Sequence, residues 1–362
     1  MTRQRLRDLG LSIGSAPTGA YNTISDVAGV SVGHTTIIRD QPRVARTGVT
    51  VINPRAADQR DQLCYGGMYS FNGNGKMTGS HWLEESGLLS GPIGITNTHQ
   101  VGLVRDTLVA ADVERDPDAT WCLPIVGETY DGFLNDIDAF HVTAVDVRAA
   151  IAAADEAGAR GGGVVAEGNV GGGTGMICHG FKGGIGTSSR VIDTPSGTFT
   201  IGVLVQANYG HRHLLRLDGL PIGTLLDLAT VPLPADPNAP ESGSIIVVIA
   251  TDAPLLADQC KRLARRATVG LARVGGTGGN GSGDIFLAFS TGNAVPLHAE
   301  RLLHVRTLPA EHMSELFNAT AEAVEESIWN ALCGAQTMTG FRGRTVHAVP
   351  LDRLVELAQD RR

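Results

Sequence analysis

One apolar run stands out from the pattern of hydrophobic and polar positions, at residues 245–250 (IIVVIA). It is short and mostly β-branched, which is typical of a strand buried on both faces. The segment before it, Pro232 to Ser242, holds four prolines and has neither a helical nor a strand period, so we expect it to lie in solvent. Gly243 and Ser244 therefore stand at the border between an exposed linker and a buried strand.

Two long helices are predicted after this strand, because apolar residues recur there every three or four positions. The first covers about Pro254 to Arg273, and the second runs from about Ala310 to Leu332 with Gly334 as its stop. Their apolar faces comprise Leu256, Cys260, Leu263, Ala267 and Leu271 in the first helix, and Met313, Phe317, Val324, Ile328 and Leu332 in the second. A glycine-rich loop that enters another strand, residues 275–293, lies between them.

The part before the linker mixes short strands and glycine-rich turns with a few helices. Residues 26–38 and 198–207 read as strands, and Val142 to Ala157 reads as a helix closed by Gly158. Strands buried on both faces need helices outside them, which predicts a layered α/β sandwich. The segment from Ser244 onward has too few strands to cover its own sheet edges, so we expect it to complete the sheets of the first part.

Composition excludes several classes of function. The chain has 362 residues, 42% of them hydrophobic, and a net charge of −8 without any basic run, which argues against binding nucleic acid. No apolar run approaches the roughly 20 residues of a spanning helix, and the N-terminal residues lack the apolar centre of a signal peptide. Five cysteines, an odd number without a CxxC pair, fit a reducing compartment. We therefore expect a cytoplasmic protein that binds neither membrane nor nucleic acid.

Three motifs suggest cofactor, metal or acid–base chemistry, and each has a plainer interpretation. Gly276, Gly278 and Gly281 match a dinucleotide fingerprint, but the predicted helix precedes them and the strand follows, the reverse of the required order. His211 and His213 would share a face if extended, yet no further metal ligand stands at a convincing spacing. His99 is either a general base or a hydrogen-bonded structural residue. No cofactor or metal is therefore expected.

Three short polar clusters stand at the ends of predicted strands. Ser282 and Asp284 are two residues apart, so their side chains should share one face, and the same holds for Glu128 and Tyr130. Asn208 ends its own strand. Each cluster could be a turn and strand start or part of a catalytic site.

The Gly243–Ser244 junction allows two interpretations. Gly and Ser commonly begin a strand or helix, and this alone would explain the pair. Alternatively, the junction cleaves itself: the serine hydroxyl attacks the glycine carbonyl, an N→O acyl shift follows, and water hydrolyses the ester. Gly is the least hindered residue for the twisted backbone that this attack requires. Cleavage would leave Ser244 with a hydroxyl and a free α-amine of pKa near 8, so that one residue supplies nucleophile and base.

Taken together, six stretches resemble the family of L-aminopeptidase/D-esterases (DmpA-like) and β-peptidyl aminopeptidases. The resemblance spans nearly the whole chain in order. The stretches are SDVAGVSVGHTT from Ser25, GITNTHQVG from Gly94, ETYDGFLND from Glu128, VQANYG from Val205, ESGSIIVVIATDAPL from Glu241 and GNGSGDIFLAFSTGN from Gly279.

The resemblance implies a four-layer α/β/β/α sandwich that one precursor forms as two fragments, residues 1–243 and 244–362, in a single structural domain. It implies Ser244 as nucleophile, with Ser282 and Asp284 as the pair that orients and polarises it. Asn208 would donate to the oxyanion, and Glu128 beside Tyr130 would bind the substrate's amine. It also implies a homo-oligomer, a tetramer of fragment pairs, but it does not carry over an L-, D- or β-amino preference.

We therefore expect a self-processing serine aminopeptidase that releases N-terminal residues from small peptides, amides or esters through an acyl-enzyme. An acyltransferase of the ornithine acetyltransferase type is the related alternative, although that type has threonine at the cut, where this chain has Ser244. A nucleotide-binding oxidoreductase and an unprocessed binding protein are the alternatives from other classes.

Overall fold

The computed structural model of the chain describes residues 3–116, 122–226, 228–229, 231–234 and 243–360. The strands of this part are β1 (Ser31–Arg39), β2 (Ala45–Asn53), β3 (Gln62–Gly73), β4 (Leu88–Leu89), β5 (Ile93–Asn97), β6 (Ile125–Thr129), β7 (Ile177–Cys178), β8 (Phe181–Lys182), β9 (Gly184–Thr194), β10 (Gly197–Asn208), β11 (Ser244–Thr251), β12 (Gly283–Pro296), β13 (Met338–Thr339) and β14 (Thr345–Val346). Its helices are α1 (Ser80–Ser86), α2 (Val101–Arg115), α3 (Ala144–Ala159), α4 (Ile222–Leu225), α5 (Ala257–Val274), α6 (Met313–Gly334) and α7 (Leu351–Gln359).

Two sheets form the middle of the molecule. The smaller has the order β1-β2-β5-β6, and the larger has the order β4-β3-β12-β11-β10-β9. Helices α2 and α3 pack on the outer face of the small sheet, whereas α5 and α6 pack on the outer face of the large one. The architecture is therefore the predicted α/β/β/α sandwich.

Strand β11 explains the uninterrupted apolar run of the sequence. Ile246 and Val248 lie in the apolar layer between the two sheets, while Ile245, Val247 and Ile249 face α5 and α6. All five side chains are fully buried. The strand lies between β10 and β12, antiparallel to the first and parallel to the second, so residues after the linker complete a sheet begun by residues before it.

The two long helices are present with the predicted inner faces. Cys260, Leu263, Ala267 and Leu271 of α5 are buried, as are Met313, Val324, Ile328 and Leu332 of α6. The flanking positions Leu256 and Phe317 are only half-buried. No helix in the described ranges is long and apolar enough to cross a membrane.

The structure corrects several boundaries in the first part of the chain. The predicted strand over residues 26–38 begins only at Ser31, because the 3₁₀ turn Ile24–Asp26 is followed by a second turn in which the Val30 N–H donates to the Val27 carbonyl. Helix α3 begins after Thr143 and continues through Gly158 to Ala159. Helix α2 was not predicted. The expectation that the linker lies in solvent falls mostly on residues 235–242, which are outside the described residues.

One testable consequence concerns the close approach of α6 to β9. A Cβ on Gly186 of β9 would lie 1.9 Å from the carbonyl oxygen of Ser327 and 2.5 Å from the nitrogen of Ala331. Gly186→Ala should therefore destabilise the protein by about 1–3 kcal/mol through overpacking, measured as a lower thermal midpoint.

Gly102→Ala is the matched control. Gly102 is exposed on α2, and a Cβ there would meet nothing within 4 Å. Alanine at a helical position should leave stability unchanged or raise it by up to about 1 kcal/mol. Equal midpoints for wild type and Gly186→Ala would contradict the packing assigned to this contact.

Candidate active site

Ser244 is the first residue of β11, and the strand register brings beside it the predicted Asn208 and the glycine between Ser282 and Asp284. Asn208 of β10 pairs with Ser244 on one side, and Gly283 of β12 pairs with it on the other. The N–H of Gly283 donates to the Oγ of Ser244 over 3.1 Å. Because Ser244 alternates with Ile246, its side chain belongs to the face between the sheets, and it is half-buried there.

Gly243 fits a site that admits no larger residue. A Cβ on Gly243 would lie 2.6 Å from the Cα of Tyr209 and 2.8 Å from the carbonyl oxygen of Asn208. Both are backbone atoms of the neighbouring strand end and cannot move aside cheaply. Steric exclusion therefore accounts for glycine immediately before Ser244.

Ser282 and Asp284 lie together, as their spacing indicated. The Oγ of Ser282 lies 2.8 Å from Oδ2 of Asp284 and 2.8 Å from the carbonyl oxygen of Gly279. Both side chains are buried. The carboxylate of Asp284 also accepts the backbone N–H of Ile245, the residue that follows Ser244.

This pair lies on the other face of the large sheet from the hydroxyl of Ser244. Ile285 and Leu287 belong to the layer between the sheets and Phe286 to the layer beneath the helices, so strand alternation places Asp284 on the helix side. Within the described structure, the pair reaches the head of β11 through the Gly283 peptide and the Ile245 N–H. The pair therefore lies beside the backbone of Ser244 and not beside its hydroxyl.

Burial sets the electrostatics of Asp284. Desolvation raises its pKa to about 6, although the hydrogen bonds from Ser282 and Ile245 oppose the rise. Its Oδ1 atom is buried and has no hydrogen-bond partner among the described residues. This carboxylate can therefore accept one further donor.

The carboxamide of Asn208 is held at both ends. The N–H of Ile177 donates to Oδ1 over 2.8 Å, and Nδ2 donates to the carbonyl oxygen of Tyr130 over 3.0 Å. Nδ2 carries two hydrogens, so a second N–H remains for another acceptor. A fixed amide N–H is the type of donor that stabilises a tetrahedral oxyanion.

Glu128 and Tyr130 differ in exposure. Glu128, near the end of β6, is 4% exposed; Oε1 accepts the Lys76 N–H over 3.0 Å, and Oε2 accepts the hydroxyl of Thr98. Tyr130 is 46% exposed, and its hydroxyl lies over Gly132, where a Cβ would come within 2.2 Å. Partial burial, with Asp131 and Asp138 nearby, raises the pKa of Tyr130.

Gly75 connects Glu128 to the head of β12. A Cβ on Gly75 would lie 3.2 Å from the Cα of Gly283 and 3.6 Å from Oε1 of Glu128. Gly75 therefore lies between the carboxylate of Glu128 and Gly283, the residue whose N–H binds the Ser244 hydroxyl. The loop around Gly75 separates Glu128 from Gly283.

The candidate histidines and the glycine motif have surroundings typical of structural residues. His99 stacks on Phe140, and its Nδ1 is 3.4 Å from Asp138. His211 stacks on His213, and the described residues contain no group of three or more His, Cys, Asp or Glu arranged to hold a metal. The Gly276–Gly281 motif follows α5 and precedes β12, in the order opposite to a dinucleotide site.

Sequence reasoning missed several residues that hold the site. Thr98 and the Lys76 N–H bind Glu128, while Ile177 and the Tyr130 carbonyl bind Asn208. Asp131 and Lys182, both fully buried, lie behind Asn208. The only local signal for these two was an ionisable residue inside an apolar or glycine-rich stretch.

Known proteins share this fold and sequence. A β-aminopeptidase from Burkholderia sp. has a TM-score of 0.90 at 50% identity, over 99% of both chains. The L-aminopeptidase D-Ala-esterase/amidase of Ochrobactrum anthropi, described as a prototype for the serine aminopeptidases and a new variant among the Ntn hydrolase fold, has a TM-score of 0.88 at 43% identity, over 99% of this chain and 98% of that one. The β-peptidyl aminopeptidase BapA of Sphingosinicella microcystinivorans is 47% identical over 366 residues, 96% of this chain and 89% of the relative.

The fold and these likenesses define a self-processing serine aminopeptidase of the Ntn hydrolase type. The chain belongs to peptidase family S58, whose profile matches residues 22–346. The family, the fold class and the enzyme class predicted from the sequence are confirmed. The acyltransferase and oxidoreductase alternatives are not favoured.

The raised pKa of Asp284 generates a prediction for the processed enzyme. The pKa of the Asp284 carboxylate is about 6, so below that pH kcat/KM should fall more steeply than protonation of a free Ser244 α-amine, with an ordinary pKa of about 8, would cause alone. Asp284→Asn resembles the protonated form at every pH. It should lower kcat/KM by roughly 10²-fold and remove this lower acid limb while keeping the fall near pH 8, measured from about pH 4.5 to about pH 9.

Asp252→Asn is the control for this titration. Burial also raises the pKa of Asp252, but this carboxyl follows the far end of β11, where it accepts the Thr200 N–H over 2.7 Å. The control should keep the acid limb of the wild type. An unchanged acid limb in Asp284→Asn would show that another group sets it.

Proposed function

We propose that this aminopeptidase cuts itself between Gly243 and Ser244, giving fragments 1–243 and 244–362, and then uses Ser244 as its nucleophile. Its substrates are small peptides, amides and esters with a free N-terminal amine. The observation that carries the proposal is the position of Ser244 at the head of a buried central strand, paired with Asn208 and Gly283 and preceded by a residue that must be glycine.

Self-cleavage requires an N→O acyl shift. The Oγ of Ser244 attacks the carbonyl carbon of Gly243, the C–N bond breaks, and the hydroxyl proton ends on the departing nitrogen. Water then hydrolyses the ester, which leaves a carboxylate on Gly243 and a free α-amine on Ser244. The lack of a Cβ on Gly243 removes the main steric barrier to this attack.

Turnover uses the same groups on an external substrate. The α-amine of Ser244, with an ordinary pKa of about 8, takes the proton from Oγ as this oxygen attacks the substrate carbonyl. The free N–H of Asn208 stabilises the resulting oxyanion. The α-ammonium then protonates the leaving amine, and water releases the acyl group from Ser244.

Asp284 supports the charge that develops on the α-amine. It already accepts the Ile245 N–H at the head of β11, and its second oxygen has no partner among the described residues. An ionised carboxylate there favours the ammonium form, and Ser282 fixes its orientation through the 2.8 Å hydrogen bond.

Glu128 selects substrates with a free amine. Two donors, the Lys76 N–H and the Thr98 hydroxyl, hold its carboxylate and leave further lone pairs for an ammonium group. In a site that excludes water, the resulting charge-assisted hydrogen bond is stronger than a neutral one. The half-exposed ring of Tyr130 lies at the same strand end and lines the approach.

We extend the proposal to the acyl group, the location and the assembly. Two relatives, at 47% and 50% identity, are named for β-peptides or β-amino acids, so we propose that peptides with an N-terminal β-amino acid are among the substrates.

All five cysteines are free thiols, which supports a cytoplasmic location. The exposed apolar residues Leu302, Leu303 and Val305 support a homo-oligomer.

The amine requirement is tested with free and N-acetyl p-nitroanilides of L-alanine and β-alanine. The free forms should be cleaved and the acetyl forms should be inert, because the cap removes the charge and leaves Glu128 without its partner. Glu128→Gln should lower kcat/KM for the free amines by about 10- to 100-fold, the range for a lost hydrogen bond to a charged group.

Glu85→Gln is the control, since Glu85 is exposed on α1. It should leave the preference for free amines unchanged. Comparable kcat/KM for capped and uncapped forms of one substrate would refute the role of Glu128 and leave a serine acyl-transfer enzyme without amine selection.

A further inference from the structure

The two bonds to the carboxamide of Asn208 fix its orientation. The Ile177 N–H can only donate, and the Tyr130 carbonyl can only accept, so Oδ1 must face the first and Nδ2 the second. A flipped carboxamide would lose both bonds. Whatever holds these two backbone groups therefore sets the direction of the remaining N–H.

Lys182 holds the first of these groups. It lies opposite Ile177 in the β7–β8 hairpin, and its Nζ donates to the carbonyl oxygens of Met176 over 2.7 Å and Gly183 over 2.9 Å, with that of Gly173 at 3.4 Å. The Met176 carbonyl and the Ile177 N–H belong to one peptide group. Since an ammonium on its oxygen polarises that peptide, the N–H becomes a stronger donor to Asn208.

Asp131 lies beside the second group. It follows Tyr130 directly, it is fully buried, and the side chains of Asn135 and Thr47 donate to it. A Cβ on Gly175 would lie 2.9 Å from the Cβ of Asp131, so Asp131 packs against the loop that Lys182 binds. The opposite charges of Asp131 and Lys182 attract one another.

The contacts form a chain. It passes from Lys182 to the Met176–Ile177 peptide, to the carboxamide of Asn208 and to the carbonyl of Tyr130, the residue that precedes Asp131. Burial lowers the pKa of Lys182 to about 7 and raises that of Asp131 to about 7, so both charges carry a desolvation cost. An apolar pair of similar volume would avoid this cost, which suggests a role other than stability.

We propose that Lys182, supported by the nearby charge of Asp131, is a positioning residue that orients and polarises the carboxamide of Asn208 toward the oxyanion. The inference rests on the proposed role of Asn208 as the oxyanion donor. Lys182 contacts backbone groups behind Asn208 and acts through them. Its loss should therefore slow the chemical step and leave substrate binding largely intact.

The test is a double-mutant cycle on processed enzyme with an amino-acyl p-nitroanilide. Lys182→Met keeps the length of the side chain and removes the ammonium. It should lower kcat by about 10- to 100-fold, less than the full loss of an oxyanion donor, with little change in KM. In an Asn208→Ala background the same substitution should cost almost nothing further, because the group it positions is absent.

Arg212→Met is the matched control. Arg212 is another buried cation that contacts this hairpin, but it lies in the 3₁₀ turn Arg212–Leu214 and binds the hairpin's turn, donating to the carbonyls of His179 over 3.0 Å and Gly180 over 2.7 Å. It should lower the thermal midpoint and leave kcat near that of the wild type. If Lys182→Met does not fold, Asp131→Asn takes its place, and a lower kcat at unchanged KM is again expected.

The outcomes separate the two proposals. Wild-type kcat in Asn208→Ala would contradict the proposed oxyanion donor and remove the basis of the inference. Two results would overturn the inference about Lys182 while leaving the oxyanion donor in place, each with a low kcat in Asn208→Ala. In the first, Lys182→Met lowers kcat by the same factor in the wild-type and Asn208→Ala backgrounds. In the second, Lys182→Met does not lower kcat in either background.

Discussion

The pairing of β11 with β10 and β12 is the constraint on which the site depends. One register places Ser244 beside Asn208 on one side and Gly283 on the other. Alternating residues of β11 fill both the layer between the sheets and the layer beneath the helices, and all are fully buried. A slip of one residue would exchange these two sets, so the apolar core fixes the position of Ser244, the proposed nucleophile.

The same arrangement divides the chemistry between the two faces of one sheet. The hydroxyl of Ser244 belongs to the face between the sheets, whereas Ser282 and Asp284 belong to the helix side. The peptide of Gly283 connects them, since its N–H binds the Ser244 Oγ. In this account the hydroxyl meets the substrate on one side, while the carboxylate supports the amine from the other.

The sequence predicted those features that depend on local pattern. Apolar spacing sufficed for the faces of α5 and α6, and residue type with length sufficed for β11. Helix α2 was not predicted because its glycine and scattered polar residues weaken the helical period of apolar residues. Spacing also indicated that Ser282 and Asp284 share a face, but not that Ser244 lies on the other one, because that depends on pairing between residues about 40 apart in the chain. Lys182 and Asp131 were missed for another reason. A buried charge is recognised by its partners, and these are backbone carbonyls for Lys182 and the Asn135 amide for Asp131, neither of which has a sequence signature.

The most direct test of Ser244 as nucleophile is the mass of the denatured protein, quenched during turnover of an amino-acid ester. We expect two species in the wild type, one ending at Gly243 and one beginning at Ser244, with the aminoacyl group added to the second and mapped to Ser244. Ser244→Ala should remain a single chain without an adduct. A single intact and fully active wild-type chain, or an acyl group on any other residue, would show that Ser244 is not the nucleophile.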